Sequence, residues 1–137
     1  MTMLASPEFE GFFENVSRGR VCLPRCADCG RFHWYPMPLC PHCQSARIEW
    51  RQVLDPARLY TWTVVRHPFD PGDAGRVPYI VGLVVFGDAP GIRLITTIAD
   101  ADPTALTIDM VLEPVFERRG GVASSDGKPA ISFRPKA

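Results

Sequence analysis

The sequence predicts a mainly β chain: a short N-terminal helix, a four-cysteine metal ribbon and a C-terminal barrel of five strands. Three observations carry that prediction. Cys26, Cys29, Cys40 and Cys43 stand as two C-x2-C pairs separated by ten residues. From residue 59 onward, short runs rich in β-branched and aromatic residues recur with Gly, Pro and Asp between them. Ahead of the cysteines, Phe9, Phe12, Phe13 and Val16 fall at i, i+3, i+4 and i+7, the spacing of one helix face. The expected units are therefore a helix over residues 1–19, a ribbon over 20–53 and a barrel over 54–137.

The helix is predicted to start at Ser6-Pro7-Glu8, with serine as N-cap, proline at the first helical position and acid in the first turn. Gly19 is placed to end it. Three phenylalanines on so short a helix are more than the ribbon is expected to cover. Either the chain's own core takes the rest, or the stripe is offered to another subunit.

Paired C-x2-C knuckles bring four thiolates to one tetrahedral point, which suits a structural zinc ion with no open coordination position. Gly30, after the first knuckle, supplies the positive φ that turns backbone amides towards sulfur. Two other chemistries share the pattern. Iron in a rubredoxin-like electron-transfer site uses the same four sulfurs. Two disulfides need an oxidising compartment, and the opening residues Met-Thr-Met-Leu-Ala-Ser-Pro-Glu carry no basic and apolar leader, so a cytoplasmic location is expected. Cys22 lies outside the pattern and reads as a small buried hydrophobe. His33 and His42 fall inside the ribbon, but four cysteines already in register leave neither needed as a ligand. Ile48, Trp50 and Val53 are expected to pack over the knuckles.

The barrel strands are predicted at residues 59–66, 79–86, 92–99, 110–118 and 130–134. A tight connection at residues 87–91 joins the second to the third, and one helical turn is expected after Asp102-Pro103. A Gly and Ser loop at residues 120–127 precedes the last strand. Five short strands in a partly open Greek-key barrel describe the OB-fold. The second strand has no polar face. Ile80, Val84 and Phe86 point one way, and Tyr79, Val81, Leu83 and Val85 the other. One set lines the interior, so the other needs a cover, either the helix and ribbon or another chain. Residues 68–78 form a connection too long for a simple hairpin.

Charge narrows the function. Fifteen basic and fifteen acidic residues balance, so no global field draws the chain to polyanions. Six arginines between residues 18 and 51 face only Asp28 and Glu49, an excess that compensates the thiolates. Residues 55–137 hold ten acids and nine bases, which leaves no positive groove for single-stranded nucleic acid despite Tyr60, Trp62, Tyr79 and Phe86. No apolar run approaches the roughly 20 residues that span a bilayer. Catalytic material is thin: His67 ends the first barrel strand without a local signature, Asp70 and Asp73 read as loop carboxylates, and no glycine-rich phosphate cradle is present. No catalytic residue is assigned.

The ordered set is an aromatic helix, then Arg25-Cys26-x-x-Cys29-Gly30, Tyr35-Pro36-x-Pro38 and Cys40-Pro41-x-Cys43. Tyr60-Thr61-Trp62-Thr63-Val64-Val65, Pro78-Tyr79-Ile80-Val81-Gly82-Leu83-Val84 and Phe133-Arg134-Pro135 follow. This set resembles the acyl-CoA-associated zinc-ribbon and OB-fold family once labelled domain of unknown function thirty-five, over nearly the whole chain. The resemblance implies a non-catalytic accessory subunit of thiolase-like, hydroxymethylglutaryl-CoA-synthase-like or aldolase enzymes, or of hot-dog-fold enoyl-CoA hydratases. It also implies that Cys26, Cys29, Cys40 and Cys43 hold structural Zn2+. A coenzyme A thioester would be contacted jointly with the partner, the arginine-rich ribbon, the helix and residues 68–78 being candidates to line its passage. Cys22 departs from the family pattern and receives no role. A single-stranded nucleic-acid binder and a rubredoxin-like electron carrier stand as the alternatives.

Overall fold

The structure is a computed structural model and describes residues 7–68, 71–75, 77–117 and 130–136. A 3-10 turn, Pro7–Phe9, leads into helix α1, Glu10–Ser17. The start differs from the sequence expectation. Ser6 lies outside the described residues, and the N-cap of α1 is Phe9, whose buried phenyl ring has no acceptor to offer the first helical amides. The end is as expected. Gly19 adopts φ +76°, its N–H bonds Val16 O, and the Arg20 N–H bonds Asn15 O, so two terminal carbonyls are satisfied.

The ribbon pairs β1, Cys22–Cys26, antiparallel to β2, Ile48–Gln52, from Cys22↔Gln52 to Cys26↔Ile48. The barrel comprises β3, Ala57–Val65, β4, Tyr79–Phe86, β5, Leu94–Ile98, β6, Val111–Glu117, and β7, Ala130–Pro135. Its strands run in the order β3-β4-β5-β7-β6. Pairs Ala57↔Leu112 and Arg58↔Val111 shut the seam, and β5 meets β7 in parallel at Ile98↔Phe133. This is the OB-fold connectivity, closed where the sequence suggested a partly open barrel. Closure starts β3 two residues early, since Ala57 must reach Leu112.

Alternation along β4 and β5 sets the interior: Ile80, Val84 and Phe86 with Leu94 and Ile98, against Leu59, Leu112 and Phe133. Leu59, Val84 and Phe133 are almost completely excluded from water, each contributing about 1.5–3 kcal/mol by burial. Gly82 is required there, because a Cβ would stand 2.9 Å from Ile98 and 3.2 Å from Leu59. The ribbon shares this core. Val21, Leu23 and Val53 belong to the same cluster, so Val53 packs into the barrel and not over the knuckles as its position suggested. A two-stranded ribbon has too little interior of its own to retain it.

Helix α1 lies against β1 and β7. Phe9 and Phe12 both meet the Trp34 ring edge-on, at 5.8 Å and 5.1 Å between centroids, and Phe9 also contacts Tyr35. The ribbon loop therefore covers more of the phenylalanine stripe than its length implied, and Phe9, Phe12 and Val16 are buried within this chain.

Two connections place the remaining predicted elements. Asp102 caps a 3-10 turn, Pro103–Ala105, by accepting from the Thr104 amide at 2.9 Å, as the Asp-Pro pair predicts. At the ribbon–barrel junction, Asp88 Oδ2 accepts from the Leu54 amide at 2.7 Å and the Asp55 amide at 3.3 Å. The carboxylate of the β4–β5 turn thus holds the strap between the two sheets.

Candidate functional site

The four predicted cysteines converge. All four Sγ atoms lie within 4.8 Å of one another, with Cys26 to Cys43 at 3.5 Å and Cys29 to Cys40 at 3.7 Å. Tetrahedral zinc–thiolate bonds of about 2.3 Å put sulfurs about 3.8 Å apart, so the donor set fits such an ion. The backbone is arranged for thiolates. The Cys29 N–H points at Cys26 Sγ at 3.4 Å and the His42 N–H at Cys40 Sγ at 3.3 Å. Gly30 has φ +76° and bonds Cys26 O, and Gln44 repeats the turn with φ +66° and a bond to Cys40 O. Sequence reasoning found the glycine and missed Gln44, which adopts the same left-handed conformation without the signal of a glycine.

The electrostatics ask for a cation. The Cys29 amide, against the opposing effect of burial, lowers Cys26 to about 6. Cys43 is pushed up to about 12: the amide at Ser45 favours its thiolate, but the neighbouring Cys26 sulfur and desolvation outweigh it. Four negative sulfurs cannot share this volume unaided, and a divalent metal resolves the conflict. Outside the ribbon centre, Arg25 bonds Glu49 at 2.9 Å and Arg51 bonds it at 3.2 Å, while Asp28 engages Ser45 and Arg47. Four of the six ribbon-region arginines are thereby tied to carboxylates, since Arg18 also pairs with Glu14.

Other singled-out residues fall apart from one another. Cys22 is buried at the start of β1, and burial raises its thiol. His33 is 4% exposed, with neither ring nitrogen bonded among the described residues, and burial lowers its pKa. His42 and His67 are exposed. Asp70 and the loop at residues 120–127 lie outside the described residues. Tyr60 is exposed and carries Arg93 over its ring at 4.4 Å, Trp62 packs against the core, and Phe86 is inside it. The outer face of β4 remains only half-covered: Tyr79, Val81, Leu83 and Val85 are partly exposed, beside Ile95 at 51%. Helix α1 sits on β1 and β7, and the ribbon joins the core through Val21, Leu23 and Val53, so they leave this face without the full cover that the sequence required.

A four-cysteine ribbon fused through one core to a closed OB barrel defines a zinc-ribbon/OB-fold protein. Two family profiles match in sequence order: the ChsH2 rubredoxin-like zinc ribbon domain over residues 13–49 and the ChsH2 C-terminal OB-fold domain over residues 50–117. The chain belongs to the ChsH2/DUF35 family. Among solved structures, it is similar to a chain of the Ltp2-ChsH2(DUF35) aldolase, 26% identical with TM-score 0.78 over 95% of both chains. A DUF35 protein of Sulfolobus solfataricus, 17% identical, shares the fold with TM-score 0.64 over 96% of this chain and 87% of that one. A probable enoyl-CoA hydratase alpha subunit of Thermomonospora curvata is 32% identical over 99 residues, covering 72% of this chain and 30% of that protein. A DUF35 domain-containing scaffold protein of Methanocaldococcus jannaschii is 28% identical over 102 residues, covering 72% of this chain and 70% of that one.

Proposed function

We propose that this chain is a non-catalytic scaffold subunit that docks onto a thiolase-like enzyme acting on acyl-CoA thioesters, with Cys26, Cys29, Cys40 and Cys43 holding a structural zinc ion. The likeness over 95% of both chains to a chain of the Ltp2-ChsH2(DUF35) aldolase, together with the two ChsH2 family profiles, carries the reading. The hydratase subunit and the scaffold protein among its relatives support the same class of role. Physical features agree with it. The outer face of β4 and β5, with Val81, Leu83, Val85, Ile95 and Thr97, is mainly aliphatic, a surface suited to covering by protein more than to a phosphate backbone. The four-thiolate centre offers order to the ribbon and no open position for substrate. The boundaries proposed for the units are residues 1–19, 20–53 and 54–137, the last two sharing one core.

In this role the chain positions its partner's loops and excludes water from the thioester, while bond making and breaking stay in the partner. Co-expression with a thiolase-like protein encoded beside it tests the reading. A complex that co-elutes on size exclusion, with acyl-CoA turnover confined to samples containing the partner, is the expected result. Turnover by the purified chain alone, or a solitary chain beside every such partner, rejects it.

A further inference from the structure

A groove of about 390 Å³ runs between α1 and the ribbon, on the opposite side of the helix from its phenylalanine stripe. Its helical wall carries Glu10 and Glu14, and no Lys, Arg or His lines it among the described residues. The facing wall is apolar, formed by Pro24, Ile48 and Trp50, with Met37 at the lip. Met37 is 45% exposed, an unusual placement for a side chain with that much apolar surface. Gly11 opens the groove, since a Cβ there would collide with the Trp50 indole, so the helix approaches the ring edge directly. Trp50 is half-buried, and its Nε1–H, without a protein acceptor among the described residues, is open to solvent.

These features specify an occupant. Carboxylates on one wall call for cationic side chains, and the Pro, Ile and Met surfaces call for apolar ones. The solvent-facing indole donor is available to a carbonyl, which a helix keeps for its own hydrogen bonds and an extended chain leaves free. We propose that this groove binds an extended peptide segment of a partner protein that carries arginine or lysine beside apolar side chains. Arg18 now occupies Glu14 from the helix surface at 2.9 Å, an exposed i, i+4 pair that a bound cation can displace at little cost. The proposal goes beyond the scaffold reading and does not depend on which enzyme is the partner.

The probe is a blocked synthetic peptide repeating Arg-Pro-Leu, titrated into the full 15N-labelled chain, with the same peptide bearing Glu for every Arg as control. The Trp50 indole N–H resonance, assigned by its loss in Trp50→Phe, is expected to shift and saturate with the arginine peptide and not with the control. Binding should weaken with salt, and the Glu10→Lys/Glu14→Lys double variant should weaken it about fivefold or more. Unchanged Trp34 and Trp62 indole resonances show that this variant stays folded. A Trp50 resonance that does not move at millimolar peptide, moves equally with the glutamate peptide, or responds alike in the double variant overturns the proposal. If the chain assembles with a thiolase-like partner while these peptide results fail, the groove inference falls and the scaffold reading stands.

Discussion

Stripping the metal from the ribbon is predicted to unfold that module and weaken the barrel without melting it. Structural zinc supplies on the order of 10 kcal/mol or more to small ribbons, beyond what five β1–β2 pairs can replace. The damage should spread through shared side chains. Val21 and Leu23, 6% and 0% exposed, project from the ribbon into the barrel cluster. Losing both burials removes about 1.5–3 kcal/mol each, roughly 3–6 kcal/mol in all. For a chain of this size each kcal/mol moves Tm by about 3–4 °C, so the barrel should melt on the order of 10–20 °C lower. The assay is chelation under reducing conditions, followed by thermal circular dichroism and segment-resolved hydrogen exchange. Ribbon amides such as Ala27, bonded to Arg47 O at 2.8 Å, and Cys40, bonded to Ser45 O at 2.8 Å, should lose protection while β4–β5 amides keep theirs. Ribbon protection that persists after complete metal loss would refute the structural role of the metal.

Other substitutions test the remaining steps. Phe12→Ala should cost about 3–5 kcal/mol in denaturant melts, because that ring is buried against Trp34; a loss below about 1 kcal/mol would mean the stripe is not stabilising this chain. Gly82→Val should cost about 1–3 kcal/mol by overpacking against Ile98 and Leu59, read as a lower urea midpoint at unchanged slope. Asp88→Ala should lower Tm more than Asp88→Asn, since asparagine retains an oxygen to accept from Leu54 and Asp55; equal losses would show that the strap does not need that acceptor. The Thr104 amide and hydroxyl hold Asp102 below its ordinary carboxylate value, so its stabilisation is present above the unfolded pKa and is lost as pH falls through the folded one. The Tm gap between wild type and Asp102→Ala should therefore narrow in acid, and a gap that persists there would assign the effect to packing.

What the sequence disclosed followed from local chemistry. Cysteine spacing placed four sulfurs together because C-x2-C turns are short and stiff, and the run from Tyr79 to Phe86 marked β4 to the residue because a strand buried on one face and half-buried on the other carries no polar interruption. Distant pairing hid the rest. The early start of β3 depends on Leu112, the burial of Val53 on a barrel that follows it, and the strap at Leu54 and Asp55 on a carboxylate more than thirty residues away. The groove was hidden for the same reason. Its acids lie on α1 and its apolar wall on β1, β2 and the knuckle loop, segments that only the folded chain brings together.

The placement of α1 explains how a metal centre can matter to a docking surface that it does not touch. One side of the helix is fixed by Phe9 and Phe12 against Trp34, a residue of the loop that joins the two knuckles, and the other side forms the carboxylate wall facing Trp50 of β2. Both supports therefore hang from the sulfur cluster: the loop is pinned between Cys29 and Cys40, and β2 begins five residues after Cys43. If the ion were lost, the helix would lose its aromatic seat and the groove its far wall together, while the aliphatic face of β4 and β5, built on the barrel interior, would keep its shape. The two candidate surfaces should consequently separate in a single experiment. Chelated protein is predicted to lose the Trp50 response to the Arg-Pro-Leu peptide while retaining association that depends on Leu83 and Ile95, which a Leu83→Asp/Ile95→Asp variant would abolish. Loss of both activities on chelation would show that one continuous surface, spanning ribbon and barrel, meets the partner.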